Sequence, residues 1–349
     1  MIKMKGIILH GGHGTRLRPL THTGPKQLLP IANKPMSEYC LNSIKETGIT
    51  EIAIIIGGLG SKKVIDYYGS GEKFGVKITY IEQDEPKGIA HAVDLCKDFI
   101  GKDKFLVFLG DNIIQKSILE YRKNFEDAES DATLLLCEVE NPSRFGIADV
   151  LDGNIKKITE KPKNPTSNLA VTGIYFLTPK IFDVIKNLEP SWRNELEITD
   201  ALQKLLENNC KISYEIITDY WKDTGTPEDI INANSQILAD SKERKIGQGT
   251  VIEKGAKIHE NSIIGENCKI SDGVIIGPNT SIGDNVIIEN IDKSSLIDIE
   301  NSIIMSDCLI KGSITIRHSI ISSKCSIKRN ENGPEDKILL LGEGTQISV

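Results

Sequence analysis

Met4-Lys5-Gly6-Ile7-Ile8-Leu9-His10-Gly11-Gly12-His13-Gly14-Thr15-Arg16-Leu17-Arg18-Pro19-Leu20-Thr21 opens with a short apolar run that stops in glycine. Lys5–His10 has the length and Ile/Leu content of a buried strand. The glycines at 11, 12 and 14 follow at once and make a turn whose backbone N–H groups can approach a polyphosphate closely. Arg16 brings positive charge to that turn, and so does Lys26 in the next segment, Pro25-Lys26-Gln27-Leu28-Leu29-Pro30. The turn is neither a P-loop, since G-x-x-x-x-G-K-[ST] is missing, nor a dinucleotide fingerprint, since Leu17 stands where the third glycine belongs.

Outward from this strand, Glu51–Ile56, Lys77–Glu82 and Lys104–Leu109 read as further strands, while Met36–Thr47, Ser61–Tyr68 and Ile89–Phe99 carry apolar residues at helical spacing. The alternation predicts βαβ units around a mainly parallel sheet. Ligands of such sheets bind beyond the carboxyl ends of the strands, so chemistry is expected just after His10, Glu82 and Leu109. Past residue 130 the pattern turns to strands at Ala132–Val139, Ile155–Glu160 and Val171–Leu177, then helices near Pro179–Asn187, Glu197–Asn208 and Pro227–Asp240. The charged run Asp240–Lys245 reads as a boundary. Domains of 1–241 and 242–349 are expected, in keeping with a length of 349 residues.

After the boundary isoleucine recurs every six residues at 246, 252, 258, 264, 270, 276, 282 and 288. Small or β-branched residues follow four positions later at Thr250, Ala256, Ser262, Cys268, Val274, Thr280 and Val286. Six fits neither an α-helix nor an ordinary strand; it is the hexapeptide period of a left-handed parallel β-helix, whose isoleucines point into the prism. The phase then slips by three and resumes at Ile297, Ile303, Leu309, Thr315, Ile321 and Ile327, predicting an outward loop near Asn290–Ser295 and a second at Lys328–Lys337.

Composition excludes several classes. A net charge of -7 leaves no basic stripe for nucleic-acid phosphates. Seven scattered cysteines without a C-x-x-C pair suggest neither a disulfide framework nor a zinc site, and fit a reducing cytoplasm. No apolar run reaches the ~18 residues of a spanning helix or resembles a secretory signal, so no membrane partner is expected.

Taken together, these segments resemble the sugar-phosphate nucleotidylyltransferases, and within them the glucose-1-phosphate thymidylyltransferases. The resemblance runs in order across 4–240, through the two segments quoted above and Lys34-Pro35-Met36, Gly110-Asp111-Asn112, Arg144-Phe145-Gly146, Glu160-Lys161-Pro162, Val171-Thr172-Gly173-Ile174-Tyr175, Glu195-Leu196-Glu197-Ile198-Thr199-Asp200 and Lys222-Asp223-Thr224-Gly225-Thr226. It implies a Rossmann-like α/β catalytic domain; the hexapeptide domain looks like that of the family's long forms. Asp111, just past a strand, can hold Mg²⁺ against a nucleotide phosphate, with Asp223 as second carboxylate, and the family uses matching residues this way. The resemblance further implies that Leu9, Gly11, Gln83 and Gly88 surround a pyrimidine, that Gly12, Gly14 and Thr15 line the nucleotide turn, and that Gly146, Glu160, Lys161 and Arg193 hold the sugar phosphate. His10 and His13 depart from the family's usual residues, and Asn194 stands where Gly commonly precedes Glu-Leu-Glu-Ile-Thr-Asp; Asn tolerates the positive φ a glycine there would adopt.

The implied reaction is in-line attack by glucose 1-phosphate on the α-phosphorus of dTTP, with Arg16 and Lys26 stabilising the leaving pyrophosphate and no general base. UTP is an alternative donor, since one methyl group gives only about 1–3 kcal/mol of discrimination. A second alternative is an added acetyltransferase in the β-helix, using His259 or His318; a third is a non-catalytic scaffold, against which intact Asp111, Asp223, Arg16 and Lys26 argue. The repeat predicts homo-oligomers through the β-helix, and all motifs for transfer precede residue 227, so 1–241 is expected to carry the chemistry alone.

Overall fold

Strand Met4–Leu9 lies between two parallel neighbours, with Leu9 opposite Ile55 on one side and Leu109 on the other. The computed structural model describes residues 3–12, 14–240, 245–291, 295–329 and 336–348. His13, the boundary residues 241–244 and parts of both expected β-helix loops (292–294 and 330–335) lie outside the described residues. Two compact units form: Met1–His13 with Ser37–Asp223, and Gly14–Met36 with Thr224–Val349. The sequence division near 241 follows the repeat, whereas this grouping follows packing.

The first unit is built on a nine-stranded sheet. Lys77–Glu82, Glu51–Ile56, Met4–Leu9 and Lys104–Leu109 run parallel in that order, so the chain reverses its direction of travel across the sheet between the strands that end at Leu9 and Leu109. Such a switch leaves a crevice outside the strand ends. Leu169–Leu177 adds antiparallel to Lys104–Leu109 and branches the sheet, pairing with Ala132–Glu138 along most of its length and with Gly146–Leu151 at Ala170. The core holds Ile7, Ile55, Val107, Leu134 and Tyr175 from strands and Val93, Ile181 and Leu202 from helices.

Strand expectations before residue 110 agree with the fold to within one residue. The stretch Ile89–Phe99 differs, forming two helices, Ile89–Asp94 and Lys97–Ile100. Cys96 leaves helical geometry between them (φ -86°, ψ 1°), and Cys96 and Ile100 both face the core. Gly146–Leu151, Ile212–Ile216, the helix Leu119–Asp127 and the short pair Asn112–Ile114 with Trp221–Asp223 are elements the sequence reading did not predict.

In the second unit, residues from 245 onward stack into three parallel sheets of six, six and five strands, the faces of a left-handed β-helix. Ile264, Ile270, Ile276, Ile282 and Ile288 fill the prism as expected. Beyond Ile288 the inward register differs from the reading above. Ile299 and Ile316 continue the row of Ile276, Ile304 and Ile321 that of Ile282, and Ile310 and Ile327 that of Ile288. The expected positions 297, 303, 309 and 315 are each one or two residues early, while 321 and 327 are correct. The six-residue step shortens to five between Ile299 and Ile304 and between Ile316 and Ile321. Left-handed residues lie in both short steps, Asn301 (φ 47°) and His318 (φ 47°), as they do in six-residue steps at Asn279 (φ 56°) and Asn285 (φ 58°), so the turn residue alone does not set the step length. Ile297 and Ile303 are themselves buried, which hides the change in the sequence.

Gly14–Met36 contributes one-turn 3₁₀ helices at Thr15–Leu17 and Lys26–Leu28 and a small hairpin, Pro30–Ile31 with Lys34–Pro35. The helix Pro227–Ala239 starts on a capping box, with Thr226 and Asp229 satisfying each other's backbone donors. Among the described residues no helix is long and apolar enough to cross a membrane.

Candidate active site

In the first unit the residues named after the ends of the two central strands meet. Gly110 N donates to Leu9 O at 3.0 Å, which brings Asp111 beside the start of the glycine turn. Asn112 Nδ2 donates to Asp111 Oδ1 (3.0 Å), and Trp221 Nε1 donates to Asn112 Oδ1 (2.8 Å). Asp223 pairs with Asn112 across the antiparallel bridge. Both carboxylates therefore come from neighbouring backbones at one sheet edge. The orienting contacts of Asn112 and Trp221 were not foreseen from the sequence, although Asn112 stands in one quoted motif and Trp221 adjoins another.

Gln83 extends its strand's ladder, its N donating to Ile56 O at 2.8 Å, and is buried. Its Nε2 donates to Gly88 O (3.3 Å) and lies 3.0 Å from His91 Nδ1. Its Oε1 faces Gly11, where a built Cβ would stand 3.3 Å away. Glycine at 57 lets that backbone press onto Gln83 O, a contact a side chain would block. At Gly88, with φ 103°, a Cβ would collide with Leu196 O. Leu196 N donates to Lys87 O, and Ala90 N donates to Leu196 O, so the loop after Gln83 is zipped to the Glu195–Glu197 segment.

Glu160, at a strand end, accepts from Thr199 Oγ1 (3.0 Å) and pairs with Lys161 (2.9 Å) and Arg193 (3.5 Å). Gly146 is opposite Glu160 in the ladder, and a Cβ there would stand 3.2 Å from Glu160 Oε2 and collide with the Thr199 methyl. Arg193 also bonds Glu195 (3.0 Å) and Glu197 (3.3 Å). Burial, and then the charge of Glu160, raises the Glu197 and Asp200 carboxyls above their ordinary range. The expected sugar-phosphate cations are thus present but braced by carboxylates. Asn194 takes φ 60°, the conformation expected where Gly is replaced.

His10 is buried, with its edge toward the Tyr68 ring at 6.0 Å, and among the described residues neither ring nitrogen has a hydrogen-bond partner. Burial lowers it to about 3, against a smaller opposing effect of Asp111.

In the second unit Gly14 (φ 56°) accepts at its carbonyl from Thr21 Oγ1 (2.9 Å), and a Cβ there would stand 3.4 Å from Lys26 Cβ. Thr15 and Arg16 are exposed in the first 3₁₀ turn. The Arg16 guanidinium lies against Gly225, where a Cβ would stand 3.1 Å from both Nη atoms. Glycine in the Asp-Thr-Gly-Thr motif therefore makes room for arginine.

Comparison with known proteins assigns both halves. Residues 5–240 match the family model described as Nucleotidyl transferase, and residues 258–348 match the GMPPB C-terminal domain. The Low-salt glycan biosynthesis nucleotidyltransferase Agl11 of Haloferax volcanii is 51% identical over 245 residues, 70% of this chain and 69% of the relative. A glucose-1-phosphate thymidylyltransferase of Streptomyces antibioticus is 45% identical over 252 residues, 72% and 70% of the two chains. Among solved structures, a Bacillus anthracis chain assigned as a glucose-1-phosphate thymidylyltransferase and solved with sucrose superposes with a TM-score of 0.65 at 43% identity, over 68% of this chain and 96% of that one.

Proposed function

Because the chain belongs to the nucleotidyl transferase family, we propose that it transfers a thymidylyl group from dTTP to glucose 1-phosphate, releasing pyrophosphate and dTDP-glucose. The relatives make it a sugar-1-phosphate nucleotidyltransferase. The carrying observation is that Gly11 and Asp111 follow the two strands on either side of the switch, with Asp223 paired to Asn112 and Gln83 reaching Gly11 from the end of the strand Lys77–Glu82.

In this reading the base lies against Leu9, Gly11 and Gly88, with Gln83 reading its edge. A fixed amide suits thymine, which offers both a donor and an acceptor. Gly12, Gly14 and Thr15 present backbone to the phosphates, and Arg16 and Lys26 neutralise the β- and γ-phosphates. Glu160 accepts from a sugar hydroxyl while Lys161 and Arg193 turn to the phosphate dianion, exchanging part of their carboxylate pairing for it. An oxygen of that phosphate then attacks Pα. The new O–Pα bond forms as the Pα–O bond to the β-phosphate breaks, and the electron pair leaves on pyrophosphate. The nucleophile is already anionic, so no proton must be removed.

Asp111 and Asp223 suit a small hard cation: two carboxylates from adjacent backbones, one oriented by Asn112, with phosphate oxygens to complete the shell. Mg²⁺ bound there would supply charge neutralisation at the α-phosphate. Homo-oligomers through the β-helix and a cytoplasmic location belong to the same reading.

The test is pyrophosphate release by the pure full-length protein across a grid of nucleoside triphosphates and sugar 1-phosphates. The dTTP and glucose 1-phosphate pair should give the highest kcat/KM. A clear preference for UTP would move the assignment to a uridylyltransferase, and acetyl transfer to glucosamine 1-phosphate would revive the acetyltransferase alternative.

A further inference from the structure

Gly14–Met36 carries Arg16 and Lys26, yet packs as one body with the β-helix rather than with the strand it follows. Two anchors hold it. The hairpin turn joins Ile31 to Lys34 through Ala32 (φ 47°) and Asn33 (φ 62°), two consecutive left-handed residues without a glycine. Ala32 N donates to Asn234 Oδ1 (2.9 Å), and Asn33 Nδ2 donates to Ile282 O (2.6 Å) in the β-helix. Asn234, on the helix Pro227–Ala239, is fully buried; its Oδ1 also accepts from Ser281 Oγ (2.7 Å), and its Nδ2 donates to Asn279 O (2.9 Å). At the segment's other end Pro19 packs on Gly342, where a Cβ would stand 3.2 Å from both its Cβ and its O.

A buried amide that makes three bonds to two separate segments, the hairpin turn and residues 279–281 of the β-helix, is a rigid joint, because releasing any one partner strands a polar group. We infer that Asn234 is a positioning residue for triphosphate binding: it fixes the Ala32–Asn33 turn on the β-helix and so sets where Arg16 and Lys26 stand. The β-helix is then part of the substrate apparatus as well as an assembly element. The inference rests on the roles given to Arg16 and Lys26 in the proposed function.

Its test uses the full-length chain with Asn33→Gly, which keeps the positive φ and deletes only the amide, and Asn234→Leu, which removes the joint. Asn234→Asp keeps both acceptor bonds and serves as the conservative variant. Equilibrium binding of dTTP and steady-state KM values for dTTP and glucose 1-phosphate are measured beside thermal melting. Asn33→Gly and Asn234→Leu should weaken dTTP binding and raise its KM on the order of tenfold, as expected for losing hydrogen bonds that hold the hairpin turn on the β-helix. KM for glucose 1-phosphate, whose residues lie in the other unit, should stay within about twofold, and Asn234→Asp should recover part of the loss. Equal rises in both KM values tracking a fall in melting temperature would overturn the inference in favour of general destabilisation. Unchanged dTTP binding in a folded Asn33→Gly would overturn it while leaving the proposed function standing, whereas wild-type protein that neither binds dTTP nor releases pyrophosphate would overturn both.

Discussion

His10 follows the first strand with an imidazole that no described neighbour satisfies, and burial holds it neutral, lowering it to about 3. A base lowered on folding binds its proton more readily in the unfolded chain, so the stability present above pH ~6.5 drains away as pH falls toward 3. His10→Leu removes that linkage. Urea denaturation should find the variant gaining on wild type by about 1.4 kcal/mol per pH unit below ~6.5, or about 2 kcal/mol at pH 5; a pH-independent difference would count against a buried neutral histidine. Asp111 makes a contrasting case, since the proposed function assigns its carboxylate to the metal. Asp111→Asn and Asp223→Asn should each cost at least ~10²-fold in kcat and weaken Mn²⁺ binding measured by calorimetry, with melting little changed. Turnover by wild type in excess chelator would refute this. Asp111 was readable in the sequence because a strand end fixes where the next residue stands. The orphaned nitrogens of His10 were not, because burial of a side chain depends on helices that pack from elsewhere in the chain.

Among the elements, the strand Gly146–Leu151 shows how a glycine sets a site. Its first residue lies opposite Glu160 and leaves just enough room for the Thr199 hydroxyl to reach that carboxylate. Gly146→Ala should push Thr199 and Glu160 apart, an overpacking cost of about 1–3 kcal/mol. The kinetic result should be a rise on the order of tenfold in KM for glucose 1-phosphate and little change for dTTP; equal losses for both substrates would remove Gly146 from the sugar side. The sequence reading missed this strand as it missed Ile212–Ile216, since neither carries the continuous apolar run that marks Glu51–Ile56 or Lys104–Leu109. The β-helix failed in the opposite way. Its isoleucines were so frequent that a wrong phase also fell on buried residues, and left-handed residues do not mark the five-residue steps, since Asn279 and Asn285 stand in six-residue ones.

At the scale of the whole chain, the order of motifs suggests that everything needed for transfer ends before residue 227, and a cut near 241 is expected on that ground to leave catalysis intact. The packing of Gly14–Met36 alters that expectation. A 1–241 fragment keeps the main sheet and its core, including Glu160, Lys161, Arg193, Asp111 and Asp223. It loses Ser281, Asn279, Ile282 and Gly342, hence two of the three bonds of Asn234, the bond of Asn33 and the seat of Pro19. With those bonds and that packing gone, water competes for the freed amides and nothing offsets the entropy of holding the segment, so the hairpin should detach rather than keep its turn. The fragment should therefore fold and keep its KM for glucose 1-phosphate, but show a KM for dTTP raised by at least an order of magnitude. Light scattering on the same sample should give a smaller oligomer than the full chain if the β-helix joins copies. A fragment that matches the full-length enzyme in its dTTP kinetics would show that the segment bearing Arg16 and Lys26 holds its conformation without the β-helix. An unchanged oligomer number would move the assembly contact into residues 1–241.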